Sequence, residues 1–159
     1  MNQFGKLYQA DNRYCLQFER FFPKQTEEVF QTLTDSHLFT LWYPFATGEV
    51  EWRVGGKIHF NDGDGSLYEG VISKLEAPST FVFKEVEDLL EMYVKKEMNG
   101  CKLTFIHTFD NKEMAMYIAA GWHRCLDVFE QIVNGEEIEW KNNASSLRSY
   151  YKEIFTTTT

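Results

Sequence analysis

Residues 101–135 read CKLTFIHTFDNKEMAMYIAAGWHRCLDVFEQIVNG, and this stretch decides the fold because it contains two different periodicities. At its start, Leu103, Phe105 and His107 share one parity, which predicts a strand that turns these side chains inward. Over about 113–134 the apolar residues recur at every third or fourth position, which predicts a long amphipathic helix. The apolar stripe of this helix consists of Ile118, Trp122, Leu126, Phe129 and Val133.

The sequence also marks the ends of this helix. Asp110 precedes Glu113 by three positions, as in a capping pair. Gly135 is suited to the C′ position, because glycine enters the left-handed region without a steric penalty. The apolar residues of 147–154 recur at helical spacing and predict a short C-terminal helix, and the tail Thr156 to Thr159 is expected to fray.

The chain before this stretch is a series of short strands and turns. Tyr14 to Phe21 alternates and predicts a strand, and two short helices follow it, with Thr26 and Asp35 as their predicted caps. Gly55-Gly56 and Asn99-Gly100 are typical of tight hairpin turns. The predicted strands are 14–21, 50–54, 58–60, 67–75, 80–85, 89–96 and 101–109.

Seven antiparallel strands, two short helices after strand 1 and one long helix predict an α+β fold. The sheet must curve, because a flat sheet cannot enclose a helix and bury its apolar stripe. The 159 residues suit one domain, since a chain of this length buries about 70% of its unfolded surface without a metal or a disulfide. We therefore predict a single domain over 1–159, with a core at about 14–135 and a helical extension at about 144–155.

The balance of charge excludes two classes of partner. The chain has 16 Lys and Arg residues against 24 Asp and Glu residues, for a formal net charge of −8. This charge repels phosphate, so we predict neither nucleic acid nor membrane as a partner. No apolar signal segment is found near the N-terminus, and Cys15, Cys101 and Cys125 form no C-x-x-C pair. We expect three reduced thiols in a cytoplasmic protein.

The order and spacing of several short segments resemble the helix-grip START-like superfamily, also called SRPBCC or Bet v-like. Within it, the chain is most similar to the activator of heat-shock protein 90 ATPase homologue family, in its C-terminal-domain form. The likeness spans about Tyr14 to Phe155. The matching segments are Val29-Phe30, Leu33-Thr34-Asp35, Leu41-Trp42, Gly48-Glu49-Val50, Arg53-Val54-Gly55-Gly56, Glu69-Gly70-Val71-Ile72, Ala77-Pro78, Leu103-Thr104-Phe105, His107-Thr108 and Gly121-Trp122 with Leu126.

The resemblance implies a START-like domain in which a seven-stranded sheet grips the long helix and leaves a cavity between them. Members of the superfamily use that cavity for lipids, polyketides, hormones or other apolar small molecules. We therefore expect non-catalytic binding of an apolar small molecule. The resemblance also supports two alternatives, which are a protein-interaction module that assists a chaperone ATPase and a cyclase- or aromatase-like enzyme.

Inward-facing aromatic residues are the candidates for the walls of this cavity. Taken singly, each one fits core packing, but together such large rings can line a cavity and cover an apolar ligand. The candidate cavity residues are Trp42, Trp52, Phe60, Phe83, His107, Trp122 and Leu126.

His107 is the polar member of this set. It is suited to a polar ligand contact or to a general base. We favour a histidine hydrogen-bonded in or near the core, because buried polar groups are normally satisfied, and the sequence places no carboxylate beside it. The four histidines lack metal-ligand spacing, so we predict neither a metal site nor a cofactor.

An acidic segment lies around the turn between the predicted strands 80–85 and 89–96. Its carboxylates are Glu85, Glu87, Asp88 and Glu91. We favour a solvated edge that blunts strand pairing, because charged side chains commonly protect sheet edges. The alternative is a dock for a basic partner.

Overall fold

The computed structural model describes residues 3–156, so the end of the tail, 157–159, lies outside the described residues. The chain forms eight strands and four α-helices within this range. The strands are β1 (Lys6–Ala10), β2 (Arg13–Phe22), β3 (Ala46–Val50), β4 (Lys57–Asn61), β5 (Leu67–Glu76), β6 (Thr80–Glu85), β7 (Asp88–Glu97) and β8 (Gly100–Phe109). The helices are α1 (Thr26–Thr34), α2 (Ser36–Trp42), α3 (Ala115–Val133) and α4 (Ala144–Thr156).

The eight strands form one curved, unclosed antiparallel sheet in the order β1-β2-β8-β7-β6-β5-β4-β3. Strand β8 lies between β2 and β7, with Phe105 opposite Phe18 on one side and Met92 on the other. Buried and less buried residues alternate without interruption along β8, as the sequence predicts. The inward residues of these strands form the concave face of the sheet.

Helix α3 packs its apolar stripe into this concave face. The ring of Trp122 lies 4.4 Å from that of Phe105, and Phe129 lies 5.6 Å from Phe22, both measured between ring centroids. Helix α2 covers the other side of the stripe, where Trp42 meets Phe129 at 5.4 Å. This arrangement confirms the predicted α+β helix-grip fold.

The sheet has one strand more than predicted. Strand β1 pairs with β2 through a turn at Asp11 and Asn12, both of which have positive φ. Its sequence, KLYQA, gives no clear apolar alternation because most of its residues are exposed at the edge of the sheet. Edge strands of this kind are held by backbone hydrogen bonds, which leave little trace in the side-chain pattern.

The second predicted strand, 50–54, is wrong in its position. Strand β3 ends at Val50, and 51–56 form a loop that is held by local hydrogen bonds. The Glu51 carboxylate accepts the backbone N–H of Lys57, and the backbone carbonyl of Glu51 accepts the backbone N–H of Arg53. Gly56 is required here because a Cβ would lie 2.0 Å from the Glu51 carbonyl oxygen.

Two of the predicted helix ends differ from the structure. Helix α1 begins at Thr26 itself, with Gln25 at the N-cap position. Asp110 pairs with Arg13 at 2.6 Å, and the side chain of Asn111 instead accepts the N–H of Glu113 in a short 3₁₀ turn before α3. The Asp35 cap of α2 and the C′ role of Gly135, at φ +70°, are confirmed.

A buried polar network joins α3 to the N-terminal segment and to α4. Arg20 is 2% exposed and binds the carboxylates of Asp127 and Glu130. The Tyr151 hydroxyl accepts the N–H of Gly5 and hydrogen-bonds to Nδ1 of His123 at 2.8 Å. The apolar pattern of β2 and α3 does not predict that the polar residues Arg20 and His123 are buried.

We predict that His123 makes the stability of the fold depend on pH. Burial lowers the pKa of His123, and Asp127 opposes this effect only in part. Because the pKa is lower in the folded than in the unfolded chain, the imidazole contributes full stability above about pH 6.5 and loses it as the pH falls through the folded value. We expect the free energy of unfolding, measured with urea, to fall more steeply below about pH 6.5 in the natural chain than in His123→Gln.

The exposed His37 provides the control. His37→Gln should keep the pH dependence of the natural chain. Equal pH dependence in His123→Gln and the natural chain would contradict the prediction.

Candidate functional site

A cleft of about 440 Å³ opens beside the N-terminal half of α3. Four parts of the chain meet there: the end of α2 with the following loop, the β6–β7 hairpin, β8, and the linker between α3 and α4. We call it the Trp122 cleft. Its lining residues are Tyr43, Pro44, Phe45, Glu85, His107, Tyr117, Ile118, Gly121, Trp122, Arg124, Cys125 and Trp140.

A larger depression, of about 750 Å³, lies at the start of α1. Its walls include exposed and half-buried charged residues such as Lys24, Glu27 and Lys96, and it does not reach the space between sheet and helix. Ligand sites are concave and mostly apolar, with few polar groups. We therefore place the candidate site at the Trp122 cleft, whose walls are mainly aromatic and apolar.

His107 is held from both sides at the inner wall of the cleft. Its Nε2 lies 2.8 Å from Asp88 Oδ2, and Trp122 Nε1 donates to its Nδ1 at 2.7 Å. Because an indole N–H can only donate, Nδ1 carries no proton and Nε2–H donates to Asp88. Both ring nitrogens are thus occupied, and the neutral ring fixes the indole of Trp122 in place.

Glu85 faces the cleft from the end of β6. Its half-buried carboxylate accepts the Tyr43 hydroxyl at 3.2 Å, and the hydroxyl of Tyr68 lies close to it. Burial raises the pKa of Glu85 above the usual carboxyl value, and the hydroxyls of Tyr43 and Tyr68 oppose that rise only in part. Burial and the charge of Glu85 raise the pKa of Tyr68 to about 12, so both tyrosines remain neutral donors.

The apolar walls come from rings that stand around Trp122. The ring of Tyr43 lies 4.9 Å from Trp122, and the rings of Phe45 and Tyr117 stand at the mouth, 41% and 50% exposed. Gly121 lies between them in the interior of α3, and a Cβ added there would meet no atom within 4 Å. The missing side chain of Gly121 therefore leaves part of the cleft open.

The linker side of the cleft carries a cation and a thiol. The guanidinium of Arg124 lies 5.6 Å from the centre of the Trp140 ring and donates to the carbonyl of Lys141. Burial raises the pKa of Cys125 to about 12, so its thiol stays protonated and is a poor nucleophile. Among residues 3–156, no group of three or more His, Cys, Asp or Glu side chains is arranged to hold a metal ion.

The structure brings two of the predicted cavity residues, His107 and Trp122, to this cleft. Trp52 is half-buried, and its indole donates to the Ser36 hydroxyl at 2.9 Å. The others lie in the packed core and are at most 1% exposed; they are Trp42, Phe60, Phe83 and Leu126.

Sequence reasoning missed the carboxylates of the site. Strands β6 and β7 lie inside the sheet, so the acidic segment between them is not a sheet edge. Glu85 and Asp88 flank a two-residue hairpin turn and point toward Tyr43 and His107, whereas Glu87 is exposed. A glycine inside the long helix, Gly121, was the one sequence signal that could have located the cleft.

A curved sheet around a long helix, with a cleft between them, defines the helix-grip class of ligand-binding or protein-interaction modules. The family described as activator of Hsp90 ATPase homolog 1-like protein matches residues 24–134, and the chain belongs to this family. None of the described helices is both long and apolar enough to cross a membrane.

Solved structures share this fold at low sequence identity. A conserved protein of unknown function from Enterococcus faecalis is 16% identical, with a TM-score of 0.84 over 98% of this chain and 92% of that one. CalU16 from Micromonospora echinospora is also 16% identical, with a TM-score of 0.77 over 98% of this chain and 96% of that one. No curated protein matches the chain.

We predict that Trp122→Phe loosens the inner wall of the cleft. The variant removes the N–H that binds His107 Nδ1 and leaves a buried acceptor unpaired, which costs about 1–3 kcal/mol of stability. We expect urea unfolding to show that loss and the ¹⁵N signals of the His107 ring to shift as Nδ1 loses its donor.

Trp52→Phe is the matched control, because it removes an indole hydrogen bond elsewhere in the chain. It should leave the His107 ring signals unchanged. Unchanged ring signals in Trp122→Phe would show that the bond to His107 does not form in solution.

Proposed function

We propose that the chain binds an apolar small molecule, without catalysis, in the Trp122 cleft between the sheet and the long helix. Of the cavity residues predicted from the sequence, His107 and Trp122 contact the ligand in this proposal. Trp42, Phe60, Phe83 and Leu126 support the walls from the core, and Trp52 supports the neighbouring loop. The three cysteines of the chain are free and buried, and we propose a cytoplasmic location on that basis.

Gly121 carries the proposal. Glycine in a helix interior is less favourable than alanine by about 1 kcal/mol, so it needs a reason. Packing does not explain the glycine, because the space around Gly121 is open. Access to the aromatic wall does explain the glycine, since a larger side chain at this position would occupy part of the cleft.

The size of the cleft fits a small organic molecule. Burial of ~300 Å² of apolar ligand surface yields about 7.5 kcal/mol at ~25 cal/mol per Å², before the cost of association is subtracted. The Tyr43 hydroxyl and the Glu85 carboxylate place a few polar atoms beside the apolar walls. Such a combination orients a ligand as well as holding it.

The family supports a second candidate, which is a protein-interaction module that assists a chaperone ATPase. Exposed apolar residues such as Val86 and Met114 offer a surface for such contacts. An ATPase assay of an Hsp90-type chaperone with excess of this protein tests the candidate, and an unchanged rate would remove it.

The cyclase- or aromatase-like alternative requires carboxylates near His107. Asp88 and Glu85 meet that requirement in position. Both nitrogens of His107 are occupied, however, so the ring has no free lone pair to accept a proton from a substrate. A role in holding Trp122 therefore fits His107 better than a role as a base.

We predict that Gly121→Leu abolishes binding while the fold persists. The leucine side chain would occupy the cleft, whereas the open space prevents a clash with the core. Binding is measured by calorimetric titration with the neutral probe 3-phenylpropan-1-ol, and we expect affinity to fall at least about tenfold.

Gly121→Ala is the matched control. It should raise the free energy of unfolding by about 0.5–1 kcal/mol and weaken binding less than Gly121→Leu does, because a methyl group fills less of the cleft than a leucine side chain. Equal binding by Gly121→Leu and the natural chain would exclude the Trp122 cleft as the ligand site.

A further inference from the structure

We propose that the ligand of the Trp122 cleft carries an ammonium group that binds the Glu85 carboxylate, with its apolar body against the aromatic wall. This inference rests on the proposed function and names its ligand class, an amine with an aromatic or aliphatic body. The observation that supports it is the position of Glu85, a carboxylate that forms no ion pair and lies inside an aromatic cleft.

Glu85 has no cationic partner within residues 3–156. The ion pairs of this part of the chain all involve other carboxylates, and Glu85 instead accepts the neutral hydroxyl of Tyr43, with the neutral hydroxyl of Tyr68 close by. The nearby Asp88 differs, because Nε2–H of His107 already binds it. Glu85 is therefore the carboxylate left to meet a ligand.

A half-buried carboxylate without a counter-charge is unfavourable in a folded protein, and a bound cation relieves that penalty. Burial raises the pKa of Glu85, which is the direction expected for such a group. An ammonium ion at the carboxylate would reverse the effect, because an opposite charge within hydrogen-bond distance favours the ionised form.

The aromatic wall favours the same ligand charge. Tyr43 contacts Glu85 through its hydroxyl at 3.2 Å and stands 4.9 Å from the Trp122 ring, so two electron-rich rings adjoin the carboxylate. Tryptophan and tyrosine faces attract cations. A neutral or anionic head group would gain less from these ring faces and would bring no counter-charge to Glu85.

Arg124 sets the orientation of such a ligand. It lines the same cleft, but its guanidinium lies over Trp140 and donates to the Lys141 carbonyl. Arg124 forms no ion pair with Glu85 and repels an ammonium from the linker side. The ammonium therefore lies at the Glu85 end, and the apolar body extends past Gly121 toward the mouth.

Three probes of one shape test the charge of the ligand. Calorimetric titration of the full chain at about pH 8, where an alkylamine is still protonated, compares 3-phenylpropylamine, 3-phenylpropan-1-ol and 3-phenylpropionate. We expect the amine to bind at least about tenfold more tightly than the alcohol, and the propionate to bind most weakly. Glu85→Gln should remove the preference for the amine.

Glu87→Gln is the matched control, since it makes the same change in net charge at an exposed residue of the same hairpin. It should keep the preference. Equal affinity for amine and alcohol, or a preference that survives Glu85→Gln, overturns the inference and leaves apolar binding intact. Failure of all three probes to bind the natural chain overturns both proposals. The comparison of probes on the natural chain needs no variant and holds even if Glu85→Gln unfolds.

Discussion

Burial of the α3 stripe in the concave face of the sheet is the constraint on which the rest of the structure depends. Trp122 occupies the decisive position, because its ring packs on Phe105 while its N–H binds His107. The sheet must curve to enclose the helix. The Trp122 cleft lies beside the N-terminal half of α3, next to this buried ring.

The chemistry of the cleft follows from groups that hold one another in place. Asp88 fixes His107, His107 fixes Trp122, and Tyr43 binds Glu85 beside them. Such a chain of hydrogen bonds keeps the wall rigid before a ligand arrives, which lowers the entropic cost of binding. The same bonds occupy the atoms that a catalytic role would need, so the arrangement is suited to binding.

Periodicity gave most of the fold, because burial on one face imposes a period of two on strands and of about 3.6 on helices. It failed where backbone or local polar contacts dominate, as in the exposed strand β1 and in the loop after β3. For the site, the strand alternation correctly predicted that His107 faces inward. The helical periodicity could not distinguish a core ring such as Trp42 from a cleft ring such as Trp122. Both lie on inward faces, and only the residues opposite them differ.

The sequence by itself determined the α+β architecture and the inward position of Trp122, since these depend on local patterns of apolar residues, and its resemblance to known members indicated the family. Only the tertiary structure decided where the Trp122 cleft lies and which charged side chains line it. Glu85 meets Tyr43, and Asp88 meets His107, across strands and helices that are far apart in sequence. Contacts of this kind depend on how a curved sheet brings distant segments together, and no local pattern encodes them.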